Sequence, residues 1–272
     1  MSRAAAERPR GRATLLTTVV NMGGLGCGPL LAGLLAQYAP LPVRLCFIVD
    51  LALVVIAIIG VLLIPETVEV SADARPRLHA LAVPQQARGI FVPAAIAAFA
   101  GYAVLGLFTA VAPAFLGQIL GLPNHALTGV VVFAVFAASM AGQLALERFS
   151  QRLALPVGCL VLVAGMGLLA AALEAHSLAL LVAGGMIAGL GQGLSFRAGL
   201  ASINNAAPPE QRSAVASSFY LVAYVALSIP VIGLGVLATL TSLQTAGVIF
   251  SILVAALALT ASLSLIGRAR AS

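Results

Sequence analysis

Charge is what this chain has least of. Asp, Glu and Arg make up 8% of its 272 residues, lysine is absent, and 61% of the residues are hydrophobic. A water-soluble domain usually carries about 25% charged residues, so this chain cannot cover a water-facing surface. Cysteine is scarce as well. Cys27, Cys46 and Cys159 lie far apart inside apolar runs, which gives neither a disulfide framework nor metal-ligand spacing and leaves them as packing residues. His79, His125 and His176 stand singly, in loops or at the ends of apolar runs. There is no glycine loop of the phosphate-binding kind. These absences argue against an enzyme, a resident cofactor or metal, and an ATP-driven machine.

What is present is apolar length. A bilayer core about 30 Å thick is crossed by about 20 helical residues, and eight segments qualify: 13–37, 42–64, 90–116, 127–146, 154–173, 177–196, 213–238 and 245–266. The first is too long for the apolar core of a signal peptide, roughly 7–15 residues. The expected fold is therefore an all-α polytopic membrane protein with eight transmembrane helices.

The net charge of +6 is a topology signal. With the N-terminus in the cytoplasm, thirteen of the fourteen arginines fall on the inner side and only Arg44 on the outer side. Cytoplasmic loops retain basic residues during insertion, so both termini are expected inside. That distribution favours contact with lipid over contact with nucleic acid.

Residues 65–89 form the longest polar stretch, with three acids, three arginines and three prolines. They read as a cytoplasmic linker after only two spans, with six spans following. A repeat accounts for the asymmetry. Pro9 aligns with Pro209, Arg12 with Arg212, Thr17 and Thr18 with Ser217 and Ser218, and Gly33 with Gly233 in one register. Spans one and two then repeat as spans seven and eight. The parent architecture would be six plus six, and this chain would lack the first four helices. The domains expected are a first-half remnant (1–64), the linker (65–89) and a complete six-helix half (90–272).

Three stretches carry a resemblance to the major facilitator superfamily: "GLGCGPLLAG" (Gly24–Gly33), "PET" (Pro65–Thr67) and "PPEQR" (Pro208–Arg212). The first is similar to the G-x-x-x-G-P-x-x-G-G element of drug:proton antiporters: Gly24, Gly28, Pro29 and Gly33 match, and Ala32 replaces the penultimate glycine. A weaker likeness lies in "GQLALERFSQR" (Gly142–Arg152), similar to the family's G-x-L-x-D-R-x-G-R loop. There Glu147 arrives one residue late beside Arg148, and Arg152 ends the pattern. The resemblance implies a secondary transporter in a bacterial plasma membrane, exporting small molecules against protons by alternating access, with this chain placed as helices five to twelve of twelve. On that reading the chain is incomplete and is not expected to transport alone. An eight-helix scaffold or accessory subunit with a protein partner remains the rival, as does an importer or uniporter.

The glycines explain themselves once lipid is the solvent. Helices associate there by close packing, and Gly24, Gly28, Ala32 and Ala36 recur every four residues along one face. Pro29 lacks an N–H and favours a kink. The stripe is either a packing face or, as the resemblance implies, a seam that flexes between the halves. Asp50 is the one formal charge well inside a span, hence a candidate proton site, or a carboxylate reaching water at the outer end. Asn21 could line a cavity or bond across helices. Tyr102 and Thr109 share a face, as do Tyr220 and Tyr224; they are candidate substrate contacts or part of an interfacial aromatic belt. Arg12, Glu147, Arg148, Arg152 and Arg212 are assigned to cytoplasmic loops and gating. Gln192, Ser195 and Arg197 are placed near the inner end of span six.

Overall fold

The computed structural model describes residues 3–65 and 83–271, except for the side chains of 3–15, Val43, Gln151, Arg152 and 269–271. The linker expected at 65–89 lies mostly outside the described residues, as do the side chains of Arg12 and Arg152. Among the described residues there are eight long helices and no strand: α1 (Arg3–Tyr38), α2 (Pro42–Leu63), α3 (Gln85–Ala114), α4 (His125–Ala145), α5 (Gln151–Glu174), α6 (Leu178–Ala206), α7 (Arg212–Leu240) and α8 (Leu243–Ala271). Each contains a stretch long and apolar enough to cross a membrane.

Helices α3 and α6 form the centre. Helix α3 is built from alanine and glycine between Ala94 and Gly106, and small side chains let neighbours approach from every side. It touches α6, α7 and α8. Helix α6 does the same with glycine. A methyl added at Gly191 would strike the backbone of Leu162 in α5, one at Gly189 the carbonyl of Val135 in α4, and one at Gly185 the ring of Phe108 in α3. Helix α8 packs on α5, where Ser262 Oγ donates to the Pro156 carbonyl at 3.3 Å.

Helix ends follow local chemistry. Asn124 Oδ1 accepts from the Leu127 N–H at 2.9 Å and caps α4; Ser177 Oγ does so for α6 at 3.4 Å. Such side-chain acceptors satisfy donors that have no partner within the helix. Helix α3 passes into a π turn at Phe115–Ile119, and Gly121, with φ of 65°, turns the chain back. Only glycine enters that region without a steric cost.

Two expected boundaries move. Helix α6 runs ten residues past 196, so the link expected at 197–212 shrinks to a short 3₁₀ turn, Pro209–Gln211, and its approach. Hydropathy measures membrane solubility, whereas RAGLASINNA is polar yet holds good helix formers and no proline. Helix α3 likewise begins at Gln85 rather than 90.

Helices α1 and α2 flank this body, and α1 carries the contact to it. Helix α2 packs chiefly on α1 and is apolar on all sides and exposed along its apolar window. Helix α1 in turn packs on α4. Cys46 Sγ of α2 lies 3.6 Å from the Ala32 carbonyl of α1. All three cysteines are free.

Candidate functional site

The α1–α4 crossing is made by glycines, but not by the stripe the spacing suggests. A methyl at Gly33 would collide with the His125 carbonyl and come within 3.1 Å of the Gly129 Cα. One at Gly129 would lie 2.7 Å from the Pro29 carbonyl, and one at Gly26 2.9 Å from Phe136 Cβ. The two backbones therefore touch at Pro29 and Gly33, while Gly26 makes room for the Phe136 side chain. Gly24 and Gly28 have nothing within 4 Å among the described residues. This corrects the packing role assigned to them. At about 100° per residue, Gly24 and Gly28 stand roughly 180° and 140° around the helix from Gly33. The contact face is instead Met22, Gly26, Pro29 and Gly33.

Side chains complete the crossing at both ends. Gln37 Oε1 accepts from the His125 backbone N–H at 2.9 Å, so α1 supplies one of the acceptors that the start of α4 needs. About four turns further down, Ser139 Oγ lies 3.7 Å from Met22 Sδ and donates to Gln192 Oε1 of α6.

Gln192 is fully buried and sits mid-helix, not near an inner end as the sequence suggests, because α6 continues to Ala206. Its side chain occupies the space that Gly101 of α3 leaves open; a methyl there would be 2.6 Å from Gln192 Cγ. The Gln192 Nε2 has no acceptor, and neither does Nε2 of Gln143, one turn from Ser139. Ser195 Oγ bonds back to the Gln192 carbonyl at 3.1 Å. Arg197 reaches across to the Gln143 carbonyl at 2.7 Å and to Glu147 at 3.9 Å. It is thus a helix residue tying α6 to the end of α4, rather than part of a loop.

One turn from Gln192, Phe196 organises an aromatic cluster across α3, α6 and α7. Its ring centroid lies 5.0 Å from Tyr102, 5.3 Å from Phe219 in a stacked pair, and 5.7 Å from Tyr220 edge-on. Phe91 adds an edge contact to Phe219 at 6.5 Å. Offset and edge-on geometries of this kind suit the ring quadrupole. The cluster is graded from buried to open: Tyr102 is 5% exposed, Tyr220 39% and Tyr224 63%. The structure therefore brings Tyr102 and Tyr220 together through Phe196, with Tyr224 one turn further along α7. Phe196 and Phe219 carried no sequence signal, since phenylalanine in an apolar helix looks like core.

Other candidates do not join this group. Thr109 bonds the Leu105 and Gly106 carbonyls of its own helix, both at 3.0 Å, and is absent from the cluster. Asn21 and Asp50 are exposed and make no hydrogen bond or ion pair with a described residue. Asp50 lies within the membrane-spanning part of α2, outside the aromatic cluster. Arg148 lies in a 3₁₀ turn beside Glu147, and Arg212 donates to the Ala207 carbonyl at 3.4 Å. Among the described residues no cluster of His, Cys, Asp or Glu could hold a metal. A cavity of about 30 Å³ between α3, α5, α6 and α8 is lined by apolar groups such as Phe108, Leu173 and Leu243. It is too small for more than a water-sized occupant.

Eight apolar helices packed through glycine, with an aromatic surface and buried amides between them, define an integral membrane protein of the polytopic helical class. The model of the Major Facilitator Superfamily matches residues 1–173. That is more than half of the chain, which therefore belongs to this superfamily and is a membrane transporter of small molecules. No curated protein sequence matches the chain.

Proposed function

We propose that the chain works as a proton-coupled exporter, with substrate meeting the aromatic surface of α3, α6 and α7. The observation that carries this reading is the α1–α4 crossing. By the internal repeat, α1 belongs to one half and α4 to the other. They touch backbone to backbone where Pro29 and Gly33 meet His125 and Gly129, and Gly26 makes room for the Phe136 side chain beside them. Packed interfaces of this kind have discrete arrangements rather than a continuous range, so the crossing serves as a seam about which halves rock. The likeness of Gly24–Gly33 to the antiporter element favours export against protons. Asp50 is the proposed proton carrier, as a formal charge placed well inside a span.

Everted membrane vesicles from cells producing the native protein test this reading. An imposed inward-acid gradient should drive uptake of a fluorescent aromatic substrate, and an uncoupler should abolish it. Flux that persists unchanged without a gradient would make the protein a uniporter. Asp50→Asn should abolish the gradient dependence while leaving substrate binding intact; unchanged coupling removes Asp50 from the mechanism.

A further inference from the structure

We infer that the groove between α3, α7 and α8 holds an anionic phospholipid, with an acyl chain along its apolar wall and the phosphate at Arg88 and Arg268. This site is independent of the transported substrate. A cavity, a depth and a pair of cations lead to it.

Phe91, Ile96 and Phe99 of α3, Val222 of α7 and Leu257 of α8 line an open hollow of about 290 Å³ with apolar walls. Its α3 wall is fixed from behind, where Phe91 meets the fully buried Phe219 ring of α7 edge-on at 6.5 Å. Phe91, Ile96, Phe99 and Val222 themselves stay half-buried, so the groove presents apolar surface instead of packing it away. Dispersion contacts are lost over a void, and a hydrocarbon chain lying in the groove restores them.

The depth of the groove matches one leaflet. On α3, Arg88, Val92, Ala95 and Phe99 follow one another at i, i+4, i+7 and i+11, which puts them on one helical face. On α8, Leu257, Ala261, Ser264 and Arg268 have the same spacing, read towards the arginine. Each face therefore runs from groove to guanidinium over about 16 Å, at 1.5 Å per residue. Half of a bilayer core is about 15 Å thick. A phospholipid spans that same distance, with its phosphate at the interface and its chain end near the midplane.

Two cations stand together at the mouth. Arg268 donates to the Gly89 carbonyl, which brings the end of α8 beside Arg88. Arg88 Nε donates to the Val83 carbonyl at 3.2 Å. Each guanidinium uses one of its five N–H groups in this way; the others have no partner among the described residues, and both side chains are exposed. A guanidinium anchored so presents a planar fork that suits phosphate. At this end Glu147 pairs with Arg197 and Glu210 lies in the turn before α7; neither pairs with Arg88 or Arg268. A second hollow, of about 320 Å³, is bordered by Gln85, Gln86 and Gln211. Gln85 lies one turn from Arg88, so this hollow gives a headgroup room beside the cations. Basic pockets between spans on the cytoplasmic side bind anionic headgroups, and the arginine bias assigns this end to that side.

The test takes the full chain, stripped of lipid and titrated with phosphatidylglycerol or with phosphatidylcholine of identical chains, and counts bound lipid by native mass spectrometry. One phosphatidylglycerol should be retained saturably, at least about tenfold more tightly than phosphatidylcholine, as two basic groups at an anionic headgroup would give. In nanodiscs, phosphatidylglycerol with a diazirine at mid-chain should label the peptides around Phe99, Val222 and Leu257 more densely than α2, whose apolar window is exposed throughout. Arg88→Gln combined with Arg268→Gln should bring the two lipids to equal affinity. Equal affinity in the unmutated protein overturns the anionic class. Label no denser in the groove than on α2 overturns the groove and leaves only the lipid that coats every span. Label on α2 with none in the groove means that protein fills it, residues 66–82 or a second copy, and overturns the lipid equally. Displacement of phosphatidylglycerol by inorganic phosphate makes the mouth a free-anion site and sinks the lipid as its ligand. These four outcomes are read on the unmutated protein, so they stand even if the double variant fails to fold.

Discussion

Helices α1 and α7, aligned in one register by their sequences, have different fates. Gly33 and Gly233 share that alignment, yet Gly33 meets the backbone of α4 while Gly233 and its neighbour Gly235 have nothing within 4 Å among the described residues. The two faces of α1 differ in the same way: Gly26 and Gly33 are engaged, Gly24 and Gly28 open. A small residue permits close approach but does not cause it. The contact forms where the facing helix also offers a glycine, as α4 does at Gly129, and where polar groups at the crossing find partners, as Gln37 and His125 do.

Substitutions can break that comparison, and unfolding in bicelles would measure them. The largest effect is expected from Gly33→Leu, which forces a branched side chain into the His125 carbonyl and should cost about 3 kcal/mol. If Gly33→Leu unfolds no more easily than Gly233→Leu, the crossing is not a structural joint. Gly129→Ala should cost about 1–2 kcal/mol, since its methyl would meet backbone that cannot rotate away. Next comes Gln37→Leu, which leaves the His125 N–H without its acceptor and should cost about 1 kcal/mol. Gly24→Ala and Gly233→Ala should fall within about 0.5 kcal/mol of the parent, as open positions usually do. A larger loss at Gly24 would restore the four-residue stripe as a packing face.

Much of the fold was legible in the sequence because lipid imposes a length rule: each apolar run of about 20 residues became a helix. Ends were less legible. At α6 the polar tail after Arg197 stays helical, and this displaced Gln192 from mid-helix to a supposed inner end. The face of α1 was misread for a related reason. Counting every fourth small residue identifies a stripe, but the packed face is fixed by the partner, and Gly129 becomes informative only once α4 is known to be that partner. At the candidate site Tyr102 and Tyr220 were recognisable by their hydroxyls. Phe196, which joins them, was not, because nothing in its chemistry separates it from ordinary core.

The dependence of α1 on α4 also imposes a waiting time. The chain emerges N-terminus first, and 96 residues separate Gly33 from Gly129. At about 5–20 residues per second, α1 stands for about 5–19 s before its partner exists. During that interval its glycine face and the Gln37 amide lack the α4 groups they meet in the folded protein. The crossing can nevertheless close before any contact that needs α5 to α8, and a variant slow to close it would be exposed to membrane proteolysis long before its finished stability mattered.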